Sequence, residues 1–166
     1  MSGLVFYQTT DIVISQDKFA ALGGQADGLG NVIPFSAVYD GSGKKITLDK
    51  GFVISEDSIA VNVYAGLFGM VTGTVKNMIV YIQSDISATN LNSSGNAYAG
   101  FIGQNLGTVD NVSVVVGLSA SVKAQAAGVS KAGAFFGAST SGRVSKAWVL
   151  VPTQKVVEDW FKTGEG

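Results

Sequence analysis

Apolar residues recur at every second position over short stretches, and the stretches recur along the chain. Met78, Val80 and Ile82 make one set; Val112, Val114 and Val116 a second; Ala147, Val149 and Val151 a third. Stacked by position they form three columns, and all nine residues are apolar. The columns between them are mixed: Ile79, Ser113 and Trp148, then Tyr81, Val115 and Leu150. One uniformly apolar side and one mixed side at period two predict β-strands that press one face into a core.

The segments before these strands repeat as well. Ala65-Gly66-Leu67-Phe68-Gly69 with Gly73-Thr74-Val75-Lys76-Asn77 returns as Ala99-Gly100-Phe101-Ile102-Gly103 with Gly107-Thr108-Val109-Asp110-Asn111, every position offset by 34. A looser third copy runs from Ala132 to Gly137 and from Gly142 to Lys146, with one extra residue between its halves. Helical repeats can share this period, but Gly, Val, Ile, Thr and Asn disfavour helix and favour strand and turn. Strands at one position of successive repeats are expected to lie parallel and in register. That is a β-solenoid, with coils stacked about 4.8 Å apart. An antiparallel sheet of hairpins would not need a fixed long period.

A coil must turn sharply, and its corners need positive φ or close backbone approach. Gly69, Gly103 and Gly137, with Gly73, Gly107 and Gly142, are the expected corners. Asn77 and Asn111 tolerate the left-handed region, and their amides are placed to bond along the stack. Lys146 breaks that ladder in the third copy.

Elsewhere the pattern is shorter. Asp11 to Ser15 reads as a strand, Asp17 to Leu22 as a helical turn, and Gly23 to Asn31 as a loop. Phe35 to Tyr39, Asp40-Gly41-Ser42-Gly43 and Lys44 to Leu48 read as strand, turn, strand. Ile59 to Tyr64 alternates into the first repeat. Ser84–Ala97 and Gly117–Ser130 supply the remaining side of each coil or bulge out as loops, and Val122, Ala124 and Ala126 alternate like a strand. Thr153 can cap a short helix, with Val156, Val157, Trp160 and Phe161 on one face.

The expected fold is therefore all-β: a short right-handed parallel β-helix of roughly four coils with a short C-terminal helical cap. Residues 1–30 form an N-terminal cap and first strand. Residues 31–151 form the solenoid, with repeats near 64–97, 98–130 and 131–151. Residues 152–166 form a cap or docking tail.

Composition narrows the chemistry. The 166 residues include 22 Gly and 2 Pro but no His and no Cys, so no disulfide forms within the chain and no His- or Cys-based nucleophile exists in it. Eleven basic residues against twelve acidic ones leave no overall electrostatic footprint for nucleic acid. No run approaches the roughly 18 apolar residues of a membrane span. The N-terminus, Met1 to Tyr7, lacks the basic start of a secretion signal, so synthesis in the cytosol is expected. Asn92-Ser93-Ser94 and Asn111-Val112-Ser113 are glycosylation acceptors only in a eukaryotic secretory route.

The Gly66-Leu67-Phe68-Gly69 and Gly73-Thr74-Val75-Lys76-Asn77 units and their copies resemble the GLUG-type motif of bacterial and viral surface proteins. Ile33-Pro34-Phe35 and Tyr39-Asp40-Gly41-Ser42-Gly43-Lys44-Lys45-Ile46 resemble the pattern that precedes such motifs, so the resemblance covers roughly residues 11 to 151. It implies a Gly-rich parallel β-helix and an adhesin-like or other repetitive surface protein.

Candidate chemistry is sparse. A phosphate loop needs Gly where Val38 stands and Ser or Thr where Lys45 stands. Gly28-Leu29-Gly30 lacks the third Gly of a dinucleotide fingerprint, and no Asp-x-Asp-x-Asp run offers a calcium loop. Some parallel β-helices cleave polysaccharides, and glycosidases use two carboxylates facing one cleft. Asp40, Asp49, Glu56 and Asp57 are the candidates, yet nothing in their spacing puts them on one face. Asp40 is expected to bond its own turn. No catalytic residue, cofactor or metal ligand is assigned.

The outward columns are more informative. A solvated face favours Lys, Glu and Thr, whereas Ile79, Tyr81, Val115, Trp148 and Leu150 stand here, pointing to a covered face. Its cover is either the chain's own loops and tail or another protein, with Tyr81 and Trp148 as anchors and Trp160 and Phe161 adding to the interface from the tail. The expectation is a non-enzymatic structural protein: a subunit of a larger homo- or hetero-assembly, such as a minor component of a virus capsid or protein shell, located in a virion or other extracellular or surface assembly. Neither nucleic-acid binding nor membrane insertion is expected. The alternatives are a glycan- or surface-binding adhesin module of a secreted bacterial protein and a carbohydrate-active β-helix enzyme.

Overall fold

The computed structural model describes residues 3–15, 20–27, 31–56 and 62–150, which contain strands and no helix. A first, partial coil holds β1 (Val5–Tyr7), β2 (Ile12–Ile14), β3 (Gln25–Ala26) and β4 (Val32–Ile33). The next holds β5 (Val38–Leu48), β6 (Phe52–Glu56), β7 (Asn62–Ala65) and β8 (Phe68–Val71). Then come β9 (Thr74–Ile82), β10 (Ile86–Asn90), β11 (Asn96–Ala99) and β12 (Ile102–Asn105). The following coil has β13 (Thr108–Val116), β14 (Val122–Ala126), β15 (Ser130–Ala132) and β16 (Phe136–Ser139), and β17 (Arg143–Leu150) begins another.

Apart from β3 and β4, the strands pair in parallel with their counterparts one coil away. The long strands stack as β5-β9-β13-β17, with β1 and β2 both on β5. The shorter ones stack as β6-β10-β14, β7-β11-β15 and β8-β12-β16. The protein is a β-solenoid of about four turns. The 34-residue register holds in β9 and β13, where Met78 faces Val112 and Val80 faces Val114.

The core lies inside the coils. Ile46, Val80 and Val114 form one buried column; Met78 and Val112 another. Phenylalanines climb beside them. Phe35, Phe68, Phe101 and Phe135 meet edge-on at centroid distances of 5.2, 5.7 and 5.7 Å, a favourable aromatic geometry.

One residue in each of β9, β13 and β17 breaks the alternation. Asn77, Asn111 and Lys146 have φ of 55°, 54° and 48°. A left-handed residue shifts the phase by one, so Val75 and Met78 both point inward although they are three apart. Asn adopts this conformation at lower cost than most residues. The amide ladder forms: Asn111 Nδ2 donates to Asn77 Oδ1 at 3.0 Å and Asn77 Nδ2 to Asp40 Oδ1 at 3.1 Å. Lys146 takes the same backbone conformation without an amide to extend it.

Several expectations are corrected. Residues 38–48 are one strand, not strand, turn, strand. Gly41, Ser42 and Gly43 form a bulge opposite Asn77, where the register shifts between Asp40 and Lys44. Gly69, Gly103 and Gly137 lie inside β8, β12 and β16, not at corners. Gly73, Gly107 and Gly142 do stand at corners, immediately before the long strands. None of the six has positive φ; close packing requires them. A Cβ on Gly107 would lie 2.1 Å from the carbonyl oxygen of Gly73 on the coil below.

The segments 84–97 and 117–130 contain strands β10 and β14. The loop expected over 23–31 contains β3, which pairs antiparallel with β4. This hairpin interrupts the strand position at which Leu22 bridges Phe68 and Phe35 bridges Val71. The expected helical turn falls largely on 16–19 and the start of the Ile59–Tyr64 strand on 57–61. Both lie outside the described residues, as does the expected helical cap over 152–166.

Candidate interaction surface

The long strands present their outward side chains in two adjacent columns. One runs Lys45, Ile79, Ser113, Trp148; the other Val13, Thr47, Tyr81, Val115, Leu150. The five expected interface residues on these strands therefore share one face. Ile79, Trp148 and Leu150 are 38%, 49% and 50% exposed, while Tyr81 and Val115 are half-buried among their in-register neighbours. Lys45 Nζ stands 5.5 Å from the Tyr81 ring centroid, within reach of a cation–π attraction. Trp160 and Phe161 lie outside the described residues.

The next sheet around the coil differs. Its outward columns are Ser55, Thr89, Gln125 and Val53, Ser87, Lys123. That is a solvated face interrupted by one apolar residue. Both sheets follow the same core-facing alternation, so the apolar outer face is not a requirement of the fold.

Sequence inspection missed Val13, which is 62% exposed at one end of the outer column. The signal was present: subtracting 34 from Tyr81 gives Thr47, and again gives Val13.

A charged ladder runs beside the bend. Asp40, Lys76, Asp110 and Ser145 face one another in successive strands. Lys76 Nζ lies 3.3 Å from Asp40 Oδ2, and Ser145 Oγ donates to Asp110 Oδ1 at 2.7 Å. Burial disfavours the ionised Asp40 carboxylate. The Ser42 N–H, the Asn77 amide and the Lys76 ammonium outweigh burial and hold its pKa below the usual carboxylate value. Asp40 thus bonds its own bulge, with Ser42 N–H donating to Oδ1 at 2.9 Å, and also ends the amide ladder.

Other buried polar groups are likewise engaged in the fold. Gln8 Nε2 donates to the carbonyls of Thr10 and Lys45, and Gln8 Oε1 accepts from Tyr39 Oη. Asn105 Oδ1 accepts from Gly107 N–H. Tyr64 stacks on Tyr98 at 5.3 Å. Burial, with a smaller contribution from Tyr98, pushes its phenol up to about 12. The exposed Asp49 accepts from Ser84 Oγ through its backbone carbonyl. Among the described residues no three His, Cys, Asp or Glu side chains gather as a metal site.

A cavity of about 330 Å³ opens beside the β3–β4 hairpin, lined by Phe6, Leu22, Ile33 and Phe35 among others. Its polar side chains are already engaged: Tyr39 Oη with Gln8, and Gln25 Nε2 with the Ala21 carbonyl.

Comparison with family models, curated proteins and solved structures finds no match to this chain.

Proposed function

We propose that this chain is a non-enzymatic structural subunit that packs against other protein through the outer face of its long strands, in an assembly such as a virus capsid or other protein shell. The observation that carries the reading is the contrast between adjacent faces. Ile79, Tyr81, Val115, Trp148 and Leu150 occupy outward positions that are polar, apart from Val53, on the neighbouring sheet. Exposed apolar clusters of this kind favour protein contact, and Trp and Tyr are strong interface anchors. The resemblance of the Gly-rich units to GLUG-type surface proteins agrees with a surface or virion setting.

Exposed aromatic rings also suit sugar binding, which keeps the adhesin module as a second reading. Sedimentation of the full chain, with a glycan array in parallel, separates the two. Replacing Tyr81 and Trp148 by Ser is expected to abolish side-by-side association through this face while the β-type circular dichroism is retained. A monodisperse 17.1 kDa monomer that binds glycans through Tyr81 and Trp148 would transfer the face to the sugar-binding reading. Side-by-side association that survives both substitutions would rule out this face.

A further inference from the structure

Among the described residues, the core columns of the long-strand sheet become exposed at both ends. Two core columns run the full height of the long-strand sheet. One is Phe6, Tyr39, Val75, Val109, Val144; the other is Ile12, Ile46, Val80, Val114, Val149. Val75, Val80, Val109 and Val114 are fully buried, whereas Phe6 and Ile12 at one end are 43% and 37% exposed, and Val144 and Val149 at the other are 45% and 43% exposed. The exposed residues are core positions at the two ends of the columns, and among the described residues no further strand stacks on them. Among the described residues, the terminal strands β17 at one end and β1 and β2 at the other also each leave one edge without a neighbouring strand, and such edges template pairing with another strand.

Charge distinguishes the ends. Residues 111–150 contain Lys123, Lys131, Arg143 and Lys146 and no acidic residue. All four are exposed, and they lie on or within the last strands β14, β15 and β17. Among the described residues, 3–37 contain Asp11 and Asp27 and no cation, with Asp11 Oδ2 4.0 Å from Lys45 Nζ of the next strand. Two copies meeting by their basic ends repel, as do two meeting by their acidic ends; the basic end of one attracts the acidic end of another. Residues 151–166 carry Glu158, Asp159 and Glu165 against Lys155 and Lys162, too nearly balanced to neutralise four cations.

We propose that a second copy of this chain stacks head-to-tail on the first, with β17 of one against β1 and β2 of the next, so that Val144 continues onto Phe6 and Val149 onto Ile12. This rests on the assembly reading above and adds to its outer face a second surface, the ends, with a second copy of the chain as partner. The contact is heterologous, so it extends into linear oligomers and does not stop at a symmetric dimer.

Sedimentation velocity of the full chain at low salt, over a range of concentrations, tests the proposal. Elongated species that grow with concentration are expected. The triple variant Lys131→Glu, Arg143→Glu, Lys146→Glu is expected to associate at least tenfold more weakly. So is the triple variant Thr9→Lys, Thr10→Lys, Ser15→Lys, which leaves Asp11 in place. Mixing the two restores association, because each variant then offers the other a complementary end. Circular dichroism verifies that both remain folded.

A wild-type monomer at every concentration, a closed dimer, charge variants that associate like wild type, or a mixture that does not recover would each overturn the proposal. Ile79→Ser with Tyr81→Ser separates it from the outer-face reading. End-to-end growth persists in that variant if the ends carry it. Association abolished there but unmoved by the charge variants leaves the outer face standing and sinks this proposal.

Discussion

At the scale of single residues, the fold depends on a few polar side chains that let the backbone bend. Asn77 is the clearest. It holds φ at 55°, donates to Asp40 and accepts from Asn111. Ala at this position loses both hydrogen bonds, each worth about 1 kcal/mol, and takes on much of the left-handed strain of roughly 1–2 kcal/mol that Asn partly escapes. Asn77→Ala is therefore expected to destabilise by about 3 kcal/mol in urea unfolding. Asn77→Gly loses the same bonds without the strain and should cost about 2 kcal/mol. Equal losses for the two would show that the conformation carries no strain.

Ionisation sets the pH limits of stability. Asp40 is held below its ordinary pKa when folded, so its contribution is complete above the unfolded value of about 3.9 and fades as pH falls through the lower folded value. Asp85 acts in the same direction, because the Ser121 hydroxyl and N–H donate to it. Tyr64 has the opposite sign. Its folded pKa of about 12 exceeds an unfolded value of about 10, so its stabilisation is complete below pH 10 and is lost between roughly pH 10 and 12. Urea midpoints measured across pH should fall at both extremes. Asp40→Asn should flatten the acid limb and Tyr64→Phe the alkaline one.

At the scale of elements, corner spacing depends on glycine for steric reasons. Gly107 stands between β12 and β13 directly above the Gly73 carbonyl. A methyl group 2.1 Å from that oxygen cannot be accommodated without separating two coils. Gly107→Ala should cost several kcal/mol by the overpacking route and lower the thermal midpoint sharply. At Gly43, φ is 73° with open space around the added Cβ, so Gly43→Ala meets only backbone strain and is the milder control. Similar losses from the two would show that close approach between coils is not what selects Gly107.

The long-strand elements were largely legible in the sequence. Columns such as Val80 and Val114 repeat at one offset, and parallel pairing follows from that repetition. The Gly41–Gly43 bulge was not legible: Asp-Gly-Ser-Gly has the composition of a turn, and only pairing of β5 with β9 on both sides of it reveals a continuous strand. The β3–β4 hairpin was hidden similarly, inside a Gly-rich stretch with the composition of a loop. The outer face of Ile79, Tyr81, Val115, Trp148 and Leu150 was readable because period two places those residues opposite the core columns. The shielding of Tyr81 and Val115 by their neighbours depends on side-chain packing across strands, which position alone does not express.

At the scale of the whole molecule, the solenoid is polar along its axis. Among the described residues its core columns are exposed at both ends and its last described strands are basic, with more acidic than basic residues at the start of the chain. By itself the sequence determined the period, the inward columns, the left-handed capacity of Asn77 and Asn111, and the distribution of charge, because each is set by residue type at a fixed spacing. Tertiary structure decided where core columns become exposed, why the corner glycines cannot carry a Cβ, and that Asp40 ends the amide ladder. These depend on which atoms from separate coils meet, and that distance exists only once the chain has stacked on itself.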